Sequence, residues 1–446
     1  MDGGTQPPPP PSKTEGETLP PPAEMGDETQ PPAAEVDGET RQPPTEIEGD
    51  TQQPSPLSAC VSKVLDDDNL LPQIIVRVGF PTSLVHASAV CRRWFGLASG
   101  RAFLRRFREL HSPRLLGFYL AQIGYPLAAA RFFPMLPQPP PPELDSVVRR
   151  ANFSLPFYEG AWTDMVGCWN GRVVTSCWNG VRNEFTFVLH SLLCSARGMT
   201  RLPALLLQFQ TGRKCVYRQF FFREEADVIC YFYVMVEYTR EGKSVVQVFM
   251  LRNGDDSWRI HLTLTMDYLI YAQSVSRSLL VDNKIYMASD HNEIFVLDLT
   301  TSSFSTIELP QGVDFDTIYT TVLSCTDDAS TMYLIHVKVL QLHIWLHDGD
   351  KWLLMETICL RELCAPFLED DPTAPLRINH AGDYTADFLF LEMGRFALYL
   401  NVKCRTLRKV YEMTSEDRHL GCIYPFMMIW PPIFPALKDV PASNAT

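Results

Sequence analysis

The first 56 residues of this 446-residue chain contain no phenylalanine, tyrosine or tryptophan. They hold 14 of the 35 prolines and twelve acidic residues against two basic ones, so that they account for −10 of the net charge of −13. A segment this poor in apolar side chains cannot bury enough surface to offset the entropy lost on folding. The composition therefore predicts a disordered, acidic, proline-rich tail over residues 1–56.

Several other signals are lacking. The amino terminus has neither the basic nor the apolar region of a secretory signal, and no stretch reaches the roughly 18 apolar residues of a membrane span. Twelve cysteines, none of them in a Cys-x-x-Cys pattern, are too few for a disulfide framework. The near-neutral charge after residue 56 argues against a basic nucleic-acid-binding protein. We expect a protein of the cytoplasm, the nucleus or both, with no contact to membrane or nucleic acid.

Residues 60–112 follow a helical pattern in which apolar residues recur every three or four positions. The first such run is Leu70, Ile74 and Val78, and the acidic residues 66–68 precede it, as suits the start of a helix. A segment of three short helices lies below the size at which a core is stable by itself. We therefore expect its apolar side chains to dock on a partner surface.

The same spacing predicts two further helices in this segment. One is expected to begin at Ser83, after a break at residues 79–82, and to continue to Trp94. The next is expected to carry Phe103 and Phe107 on its apolar face and arginines on the opposite face. Since the chain is not basic overall, we interpret those arginines as a solvated helix side.

Beyond a proline-rich linker at residues 134–142, helical spacing gives way to the alternation that is typical of strands. Short strand-like runs continue to residue 430, separated by turns such as Asn253-Gly254 and Asp348-Gly349. A unit of strand, turn, strand, turn and strand returns about every 45 residues, and roughly six such units fit after residue 150. The main part of the chain is therefore predicted to be a kelch-like β-propeller of about six blades.

The fold class that follows is a multidomain α + β protein. Its most apolar late segment, residues 423–434, is interrupted by prolines and is predicted to be a buried closing strand or loop. The predicted domains are a disordered tail at 1–56, a small all-α domain at 60–112, a connector with the proline-rich linker at 113–149, a propeller-like recognition domain at 150–434 and a disordered C-terminus at 435–446.

An aliphatic helix with the pattern Leu-Leu-x-x-Ile-Ile is followed by a Val-Cys-x-x-Trp motif. In these features residues 65–119 resemble the F-box family, in particular the F-box proteins of grasses and other plants. The resemblance implies docking on a Skp-type adaptor and, through it, on a cullin-RING ubiquitin ligase. Carried over residue by residue, the adaptor contacts are Leu70, Leu71, Ile74, Ile75, Val78, Pro81, Leu84, Val90, Cys91 and Trp94.

The function that the resemblance implies is that of a non-catalytic substrate receptor in an SCF-type (Skp–cullin–F-box) ubiquitin ligase, with the propeller holding a target protein. No nucleophile-elbow, phosphate-loop or dinucleotide motif occurs, so we expect neither enzyme activity nor a cofactor. The alternative is a stand-alone propeller that binds a small molecule or glycan, or acts as an enzyme, beside a degenerate F-box. That alternative predicts convergent polar groups with perturbed pKa values.

Three weaker candidate sites have simpler interpretations. His343 and His347 have the spacing of zinc ligands on a helix, but the alternation around them predicts a strand. The sequence Cys-Trp-Asn-Gly occurs at residues 168–171 and again at 177–180, which indicates strand ends at tight turns rather than a redox or aromatic-cage site. The acidic residues 369–371 are interpreted as a polar loop. We therefore expect no metal site.

Overall fold

A computed structural model describes the chain from residue 61 to residue 434. The residues left out within that range are 62, 112–113, 122–129, 138, 157–161, 194–197, 208–213, 226–227, 268–277, 289–292, 314–319, 326–330, 369–372, 383–386, 416, 418 and 430–433. All described residues belong to one unit, Val61–Thr446. The predicted tail at 1–56, the predicted C-terminal segment at 435–446 and the acidic loop at 369–371 lie outside the described residues.

After helical residues at 61 and 63–66, four short helices follow in the described chain. They are α1 (Leu70–Ile75), α2 (Pro81–Ser88), α3 (Arg92–Ala98) and α4 (Arg101–Leu110). The Asp67 carboxylate accepts the backbone N–H groups of Asn69 at 2.7 Å and of Leu70 at 3.1 Å, so an aspartate of the predicted acidic start caps α1. Because the first N–H groups of a helix have no partner within it, this acceptor fixes where α1 begins.

The second predicted helix is wrong in its bounds. Instead of one helix from Ser83 to Trp94, α2 begins at Pro81 and ends at Ser88, and α3 begins at Arg92. Pro81 suits the first helical position, where its missing N–H would have been unpaired in any residue. The interruption arises at Cys91, whose extended backbone (φ −161°, ψ 169°) cannot continue a helix.

The rest of the described chain consists almost entirely of strands. In chain order the elements are β1 (Leu115–Ala121), β2 (Arg131–Pro134), α5 (Pro142–Arg150), β3 (Trp162–Trp169), β4 (Arg172–Asn179), β5 (Glu184–His190), β6 (Met199–Arg201), β7 (Leu205–Leu206), β8 (Lys214–Glu225), β9 (Val228–Tyr238), β10 (Ser244–Arg252), β11 (Arg259–Met266), β12 (Ser278–Val281), β13 (Lys284–Ala288), β14 (Glu293–Asp298), β15 (Ser303–Glu308), β16 (Thr321–Cys325), β17 (Met332–Lys338), β18 (Gln341–Asp348), β19 (Lys351–Cys359), α6 (Arg361–Cys364), β20 (Leu376–Ala381), β21 (Phe388–Met393), β22 (Phe396–Asn401), β23 (Thr406–Glu412) and β24 (Cys422–Met427). A 3₁₀ turn, Ala365–Phe367, follows α6.

These strands form the six antiparallel blades of a β-propeller, which confirms the predicted fold class. Blade one has the order β2-β1-β24, and blade two the order β3-β4-β5-β6, with β7 beside β5. Blades three to six are β8–β11, β12–β15, β16–β19 and β20–β23. The first strands of successive blades contact each other, as β8 does β12 and β16 does β20, so they form the inner wall of the ring.

Blade one closes the ring with strands from both ends of the propeller. Phe118 of β1 pairs with Pro425 of β24, and β24 also contacts β3 and β20. The predicted closing strand is therefore confirmed. The predicted connector at 113–149 is wrong in part, because β1 and β2 are blade strands. β1 is buried on both faces, so its sequence shows an apolar run instead of the alternation expected of a half-buried strand.

Six apolar clusters fill the gaps between neighbouring blades, one in each gap. Alternate residues of a strand point to opposite faces, so one strand supplies two clusters. In β1, for example, Tyr119 lies in the cluster shared with blade two, whereas Phe118 and Leu120 lie in the cluster shared with blade six. The core is thus a closed ring of contacts between sheets.

The turns between strands follow the predicted chemistry. β3 ends at Trp169, and the chain reverses through Asn170 (φ 41°) and Gly171 (φ 72°), a backbone that glycine and asparagine tolerate best. The Trp169 ring lies 3.9 Å from the Phe222 ring between centroids. The first Cys-Trp-Asn-Gly is therefore a strand end with a packed tryptophan, as predicted.

Candidate functional site

The helices at residues 70–110 have an apolar interior of their own. It consists of Leu71, Ile75, Val76, Leu84, Ala98 and Phe107. Of the residues predicted to contact an adaptor, Leu71, Ile75 and Leu84 are at most 2% exposed, and Pro81 is also buried. Leu71, Ile75 and Leu84 hold the helices together, and all four side chains present almost no surface to another molecule.

Other predicted contact residues lie on the outside of the same helices. Leu70 and Ile74, four residues apart on α1, are each 45% exposed, and Val90 before α3 is 63% exposed. Cys91 is exposed as well, and Val85 of α2 joins them although it was not among the predicted contacts. Residues four apart share one side of a helix, so Leu70 and Ile74 form a single outward-facing apolar edge. We call Leu70, Ile74, Val85 and Val90 the outer apolar residues.

Arg93 ties the start of α1 to the start of α3. Its guanidinium donates to Asp68 Oδ1 at 2.7 and 3.1 Å and to the carbonyl oxygens of Leu65 and Asp66, at 2.8 Å each. Leu70 follows Asp68 by two residues, and Cys91 precedes Arg93 by two. The contact therefore links the part of α1 that carries Leu70 to the start of α3, next to Cys91 and Val90. Sequence analysis missed the role of Arg93. The signal available in the sequence was a basic residue inside the Val-Cys-x-x-Trp motif, together with the three aspartates at 66–68 that precede α1.

The remaining predicted contacts, Val78 and Trp94, are half-buried. Trp94 packs at the margin of the helical interior, and Phe434 packs there from the far end of the chain. The helices are also joined to blade one, because Phe80 lies in the cluster between blades one and two and Arg114 donates to the Gly79 carbonyl oxygen at 2.8 Å. The ten predicted residues therefore divide into four inner, four outer and two half-buried residues on one anchored helical segment.

The propeller offers a test of the alternative, a polar funnel with perturbed ionisable groups. Burial lowers the pKa of His190 to about 4, and its Nε2 lies 2.9 Å from Thr175 Oγ1 on the neighbouring strand. Burial raises the pKa of Glu392, and Arg377 at 3.2 Å opposes that shift. The two groups lie in blades two and six, and each is bonded within its own sheet. Such partners indicate structural roles.

The weaker candidates are placed as follows. His343 and His347 lie on β18, where four residues span about 13 Å, too far for two ligands of one zinc ion. Burial raises the pKa of the Cys177 thiol, which makes it a poor nucleophile.

In the described ranges no group of three His, Cys, Asp or Glu side chains is placed to hold a metal ion. None of the helices described is long and apolar enough to cross a lipid bilayer.

Comparison with solved structures finds several matches at low identity. BBS1N, solved in complex with ARL6DN, is 11% identical, with 59% of this chain and 70% of that chain covered and a TM-score of 0.30. The Cps50 (Swd1) β-propeller of Myceliophteria thermophila is 8% identical, with 58% and 90% covered and a TM-score of 0.32. AztD of Citrobacter koseri is 11% identical, with 70% and 98% covered and a TM-score of 0.31. Likenesses of this size say nothing about function.

No curated protein matches the chain significantly in sequence. A family model does match. It is described as "F-box protein AT5G49610-like, beta-propeller" and it covers residues 164–434, which is more than half of the chain. The match spans blades two to six and the closing strand β24. The chain therefore belongs to the AT5G49610-like F-box protein family, and its β-propeller is of the kind that such proteins carry, which supports a role in protein interaction.

Proposed function

We propose that this chain is the substrate-recognition subunit of an SCF-type E3 ubiquitin ligase, with the helices at residues 70–110 docking on a Skp-type adaptor. The observation that carries the proposal is the division of the helical segment. Its interior is closed around Leu84 and Phe107, yet Leu70 and Ile74 are each 45% exposed and Val90 is 63% exposed. Apolar side chains on a stable helical surface are what a docking partner would cover.

The gain from covering the outer apolar residues is large enough to matter. Fully burying a leucine, isoleucine or valine side chain is worth about 1.5–3 kcal/mol, so the half of Leu70 or Ile74 that remains exposed is worth about 1 kcal/mol each. Together the four residues could supply several kcal/mol to an interface. The buried predicted residues, such as Leu71 and Leu84, would contribute by holding α1 and α2 in place.

In this proposal the propeller presents its loops to a target protein and supplies no chemistry. A target held beside the ligase-bound ubiquitin-conjugating enzyme is modified faster because its effective concentration is raised. The bonded partners of His190 and Glu392 within their sheets agree with a non-catalytic role. We place this activity in the cytoplasm, the nucleus or both, where cullin-RING ligases would meet the chain.

The experiment is co-purification of the full chain with the Skp-type adaptors of its organism, with affinities measured by calorimetry. Ile74→Asp is expected to weaken adaptor binding at least about tenfold, because it places a charge in the covered surface. Ile260→Asp on β11 is the matched control, since Ile260 is 59% exposed but lies in blade three. Leu84→Asp is unsuitable, because Leu84 is completely buried and its loss would unfold the helices.

The proposal is contradicted if no adaptor is retained by the wild-type chain, or if Ile74→Asp and Ile260→Asp bind equally well. Mass spectrometry of proteins captured from cells separates the two functions of the chain. Ile74→Asp should lose the adaptor and cullin while keeping proteins held by the propeller. Loss of all captured proteins together would argue against separate docking and recognition surfaces.

A further inference from the structure

The outermost strands of the described blades differ in what they expose. β15 exposes Ser303, Ser305, Thr306 and Glu308, and β23 exposes Thr406, Arg408 and Lys409. β19, by contrast, exposes three apolar residues in succession, Leu353, Leu354 and Met355, at 43%, 48% and 56%. An edge strand that exposes apolar side chains is a template for pairing with another strand, and most proteins avoid it.

The free edge of β19 is part of this surface. β19 is the last strand in the order of blade five, and no strand among the described residues pairs with its outer side. Its inner side pairs with β18 in a register that shifts once, where Ile344 is opposite Glu356 but Trp345 is opposite Leu354. Met355 is therefore an extra residue, a β-bulge.

The bulge decides which side chains share a face. Lys351 and Leu353 lie on one face of β19, and the shift at Met355 brings Glu356 onto that same face. The carboxylate of Glu356 is held there by Arg405 of blade six, at 3.1 Å.

The opposite face of β19 carries Trp352 and Leu354. Trp352 is anchored towards blade four, because its Nε1 donates to the Glu308 carbonyl oxygen at 2.8 Å. The two faces of β19 thus differ, and a pairing partner must match both of them at once.

We propose that the free edge of β19 pairs with β19 of a second copy of this chain, antiparallel about a two-fold axis at Leu353. In that register Leu353 lies opposite Leu353 of the second copy, and Trp352 lies opposite its Leu354. Because Met355 is an extra residue in each strand and takes no partner, the next pair joins Lys351 to Glu356 of the second copy. A two-fold axis normal to the sheet keeps each residue on its own face, and every one of these pairs joins residues of like face.

Charge complementarity is the reason for proposing a second copy of this chain as the partner of β19, and for proposing this register. The two-fold axis repeats each pair, so the dimer contains two Lys351–Glu356 pairs flanking an apolar centre. A lysine on an edge strand usually opposes pairing, but here it meets a carboxylate. Moving the centre to Trp352 would place Lys351 opposite Leu353 and Asp350 opposite Leu354, and would pair no opposite charges. In the register centred on Leu353 the strand is thus complementary to itself both in charge and in its exposed leucines.

The inference is independent of the adaptor proposal, because β19 lies in blade five and the helices lie before blade one. The dimer carries two propellers and two sets of helices, so that a target with two recognition segments is held by both. The outcome of the adaptor experiment with Ile74→Asp does not depend on whether the chain is a dimer.

The first test is sedimentation velocity of the full chain over a range of concentrations up to about 100 µM. We expect a monomer–dimer equilibrium in the wild type and a rise in the dimer dissociation constant of at least about tenfold in Leu353→Lys, which puts like charges together at the axis. Ile260→Lys on β11 is the control and should leave the equilibrium unchanged. Circular dichroism of both variants checks that the propeller is intact.

The second test is a charge exchange that fixes the register. Lys351→Glu and Glu356→Lys should each weaken the dimer, and the double variant should restore it to within about threefold of the wild type. A wild-type chain that stays monomeric at every concentration overturns the proposal. So does a dimer that survives Leu353→Lys, or a double variant no stronger than either single one.

Discussion

The ring of Phe434 packs edge-on against the ring of Phe95, with centroids 5.8 Å apart and planes at 81°. Phe95 belongs to α3, near the start of the described chain, and Phe434 lies seven residues beyond the closing strand β24. The geometry is the T-shaped arrangement that aromatic pairs favour. The chain end beyond the propeller thus helps to stabilise the helices that precede it.

Phe434→Ala should loosen α3 more than it loosens the propeller. A half-buried phenylalanine contributes less than the 3–5 kcal/mol of a fully buried one, so we expect a local loss of about 1–2 kcal/mol. Hydrogen exchange of the amides in α3 is the measurement. Phe367→Ala is the control, because Phe367 lies in the 3₁₀ turn before blade six and its ring is 5.7 Å from that of Phe396 in β22. Equal exchange of α3 in the two variants would contradict the anchoring role of Phe434.

Gly117→Ala should open the ring at blade one. A Cβ at Gly117 would lie 2.3 Å from the Phe133 carbonyl oxygen and 2.5 Å from the Phe132 ring, so β1 and β2 would have to move apart. Overpacking of this kind costs about 1–3 kcal/mol. Thermal unfolding followed by circular dichroism should show a lowered midpoint. Gly167→Ala in β3 is the matched control, because nothing lies within 4 Å of its added Cβ, and a midpoint equally lowered there would refute the steric account.

Asp417→Asn should weaken the contact between blades one and six. Asp417 accepts hydrogen bonds from Tyr411 and Thr414 and pairs with Arg131 of β2 at 3.0 Å, and its side chain is only 6% exposed. The hydrogen bond from Tyr411, helped by Thr414 and Arg131, lowers the pKa of Asp417. Charge-assisted bonds of this kind are worth about 1.5–3 kcal/mol, which we expect to be lost at neutral pH.

The pH dependence of that loss follows from the lowered pKa of Asp417. A carboxyl whose pKa is lower in the folded state stabilises the fold above its ordinary pKa of about 3.9, and this contribution disappears as the pH falls through the lowered value. In urea unfolding, the free energies of unfolding of the wild type and of Asp417→Asn should therefore differ at pH 7 and converge below about pH 4. Asp387→Asn, in a pair with Lys403 within blade six, is the control and should cost about 1 kcal/mol or less. A difference in free energy of unfolding between wild type and Asp417→Asn that becomes larger as the pH falls would exclude this account.

His190→Gln should reduce the change in free energy of unfolding with pH between about pH 6.5 and pH 4. The imidazole is 1% exposed, and burial lowers its pKa to about 4, so the unfolded chain binds a proton in this range and the folded chain does not. Stability of the wild type should then fall as the pH falls, by about 1.4 kcal/mol per pH unit from this group. Urea unfolding at pH 7, 6 and 5 measures the slope. His86→Gln, at an exposed position on α2, should keep the wild-type slope, and a shared slope in all three proteins would refute the assignment.

The strands and turns were predictable wherever local chemistry decides them. Asp282 and Asn283 form a turn with positive φ at both positions, and the alternation on either side matches β12 and β13. β1 was missed because its partner, β24, lies at the other end of the propeller, and because burial on both faces removes the alternation. No local pattern encodes a contact between distant parts of the chain.

The helical segment shows a different limit. The pairs Leu70-Leu71 and Ile74-Ile75 both fit an apolar helix, and the sequence predicted all four as partner contacts. In the structure Leu71 and Ile75 face inwards and Leu70 and Ile74 face outwards. A helical pattern shows that two faces are apolar, but the packing of α3 and α4 decides which of them is covered. Whether an adaptor covers the other stays a prediction.

The closing strand has a consequence for the chain during its synthesis. Because β24 contacts β1, β3 and β20, the ring stays open until Cys422–Met427 has left the ribosome. The helices emerge before the blades, so their outer apolar residues leave the ribosome well before the propeller is complete. A messenger truncated anywhere before β24 would yield a product that has the helices and most of the blades but cannot close the ring of six sheets.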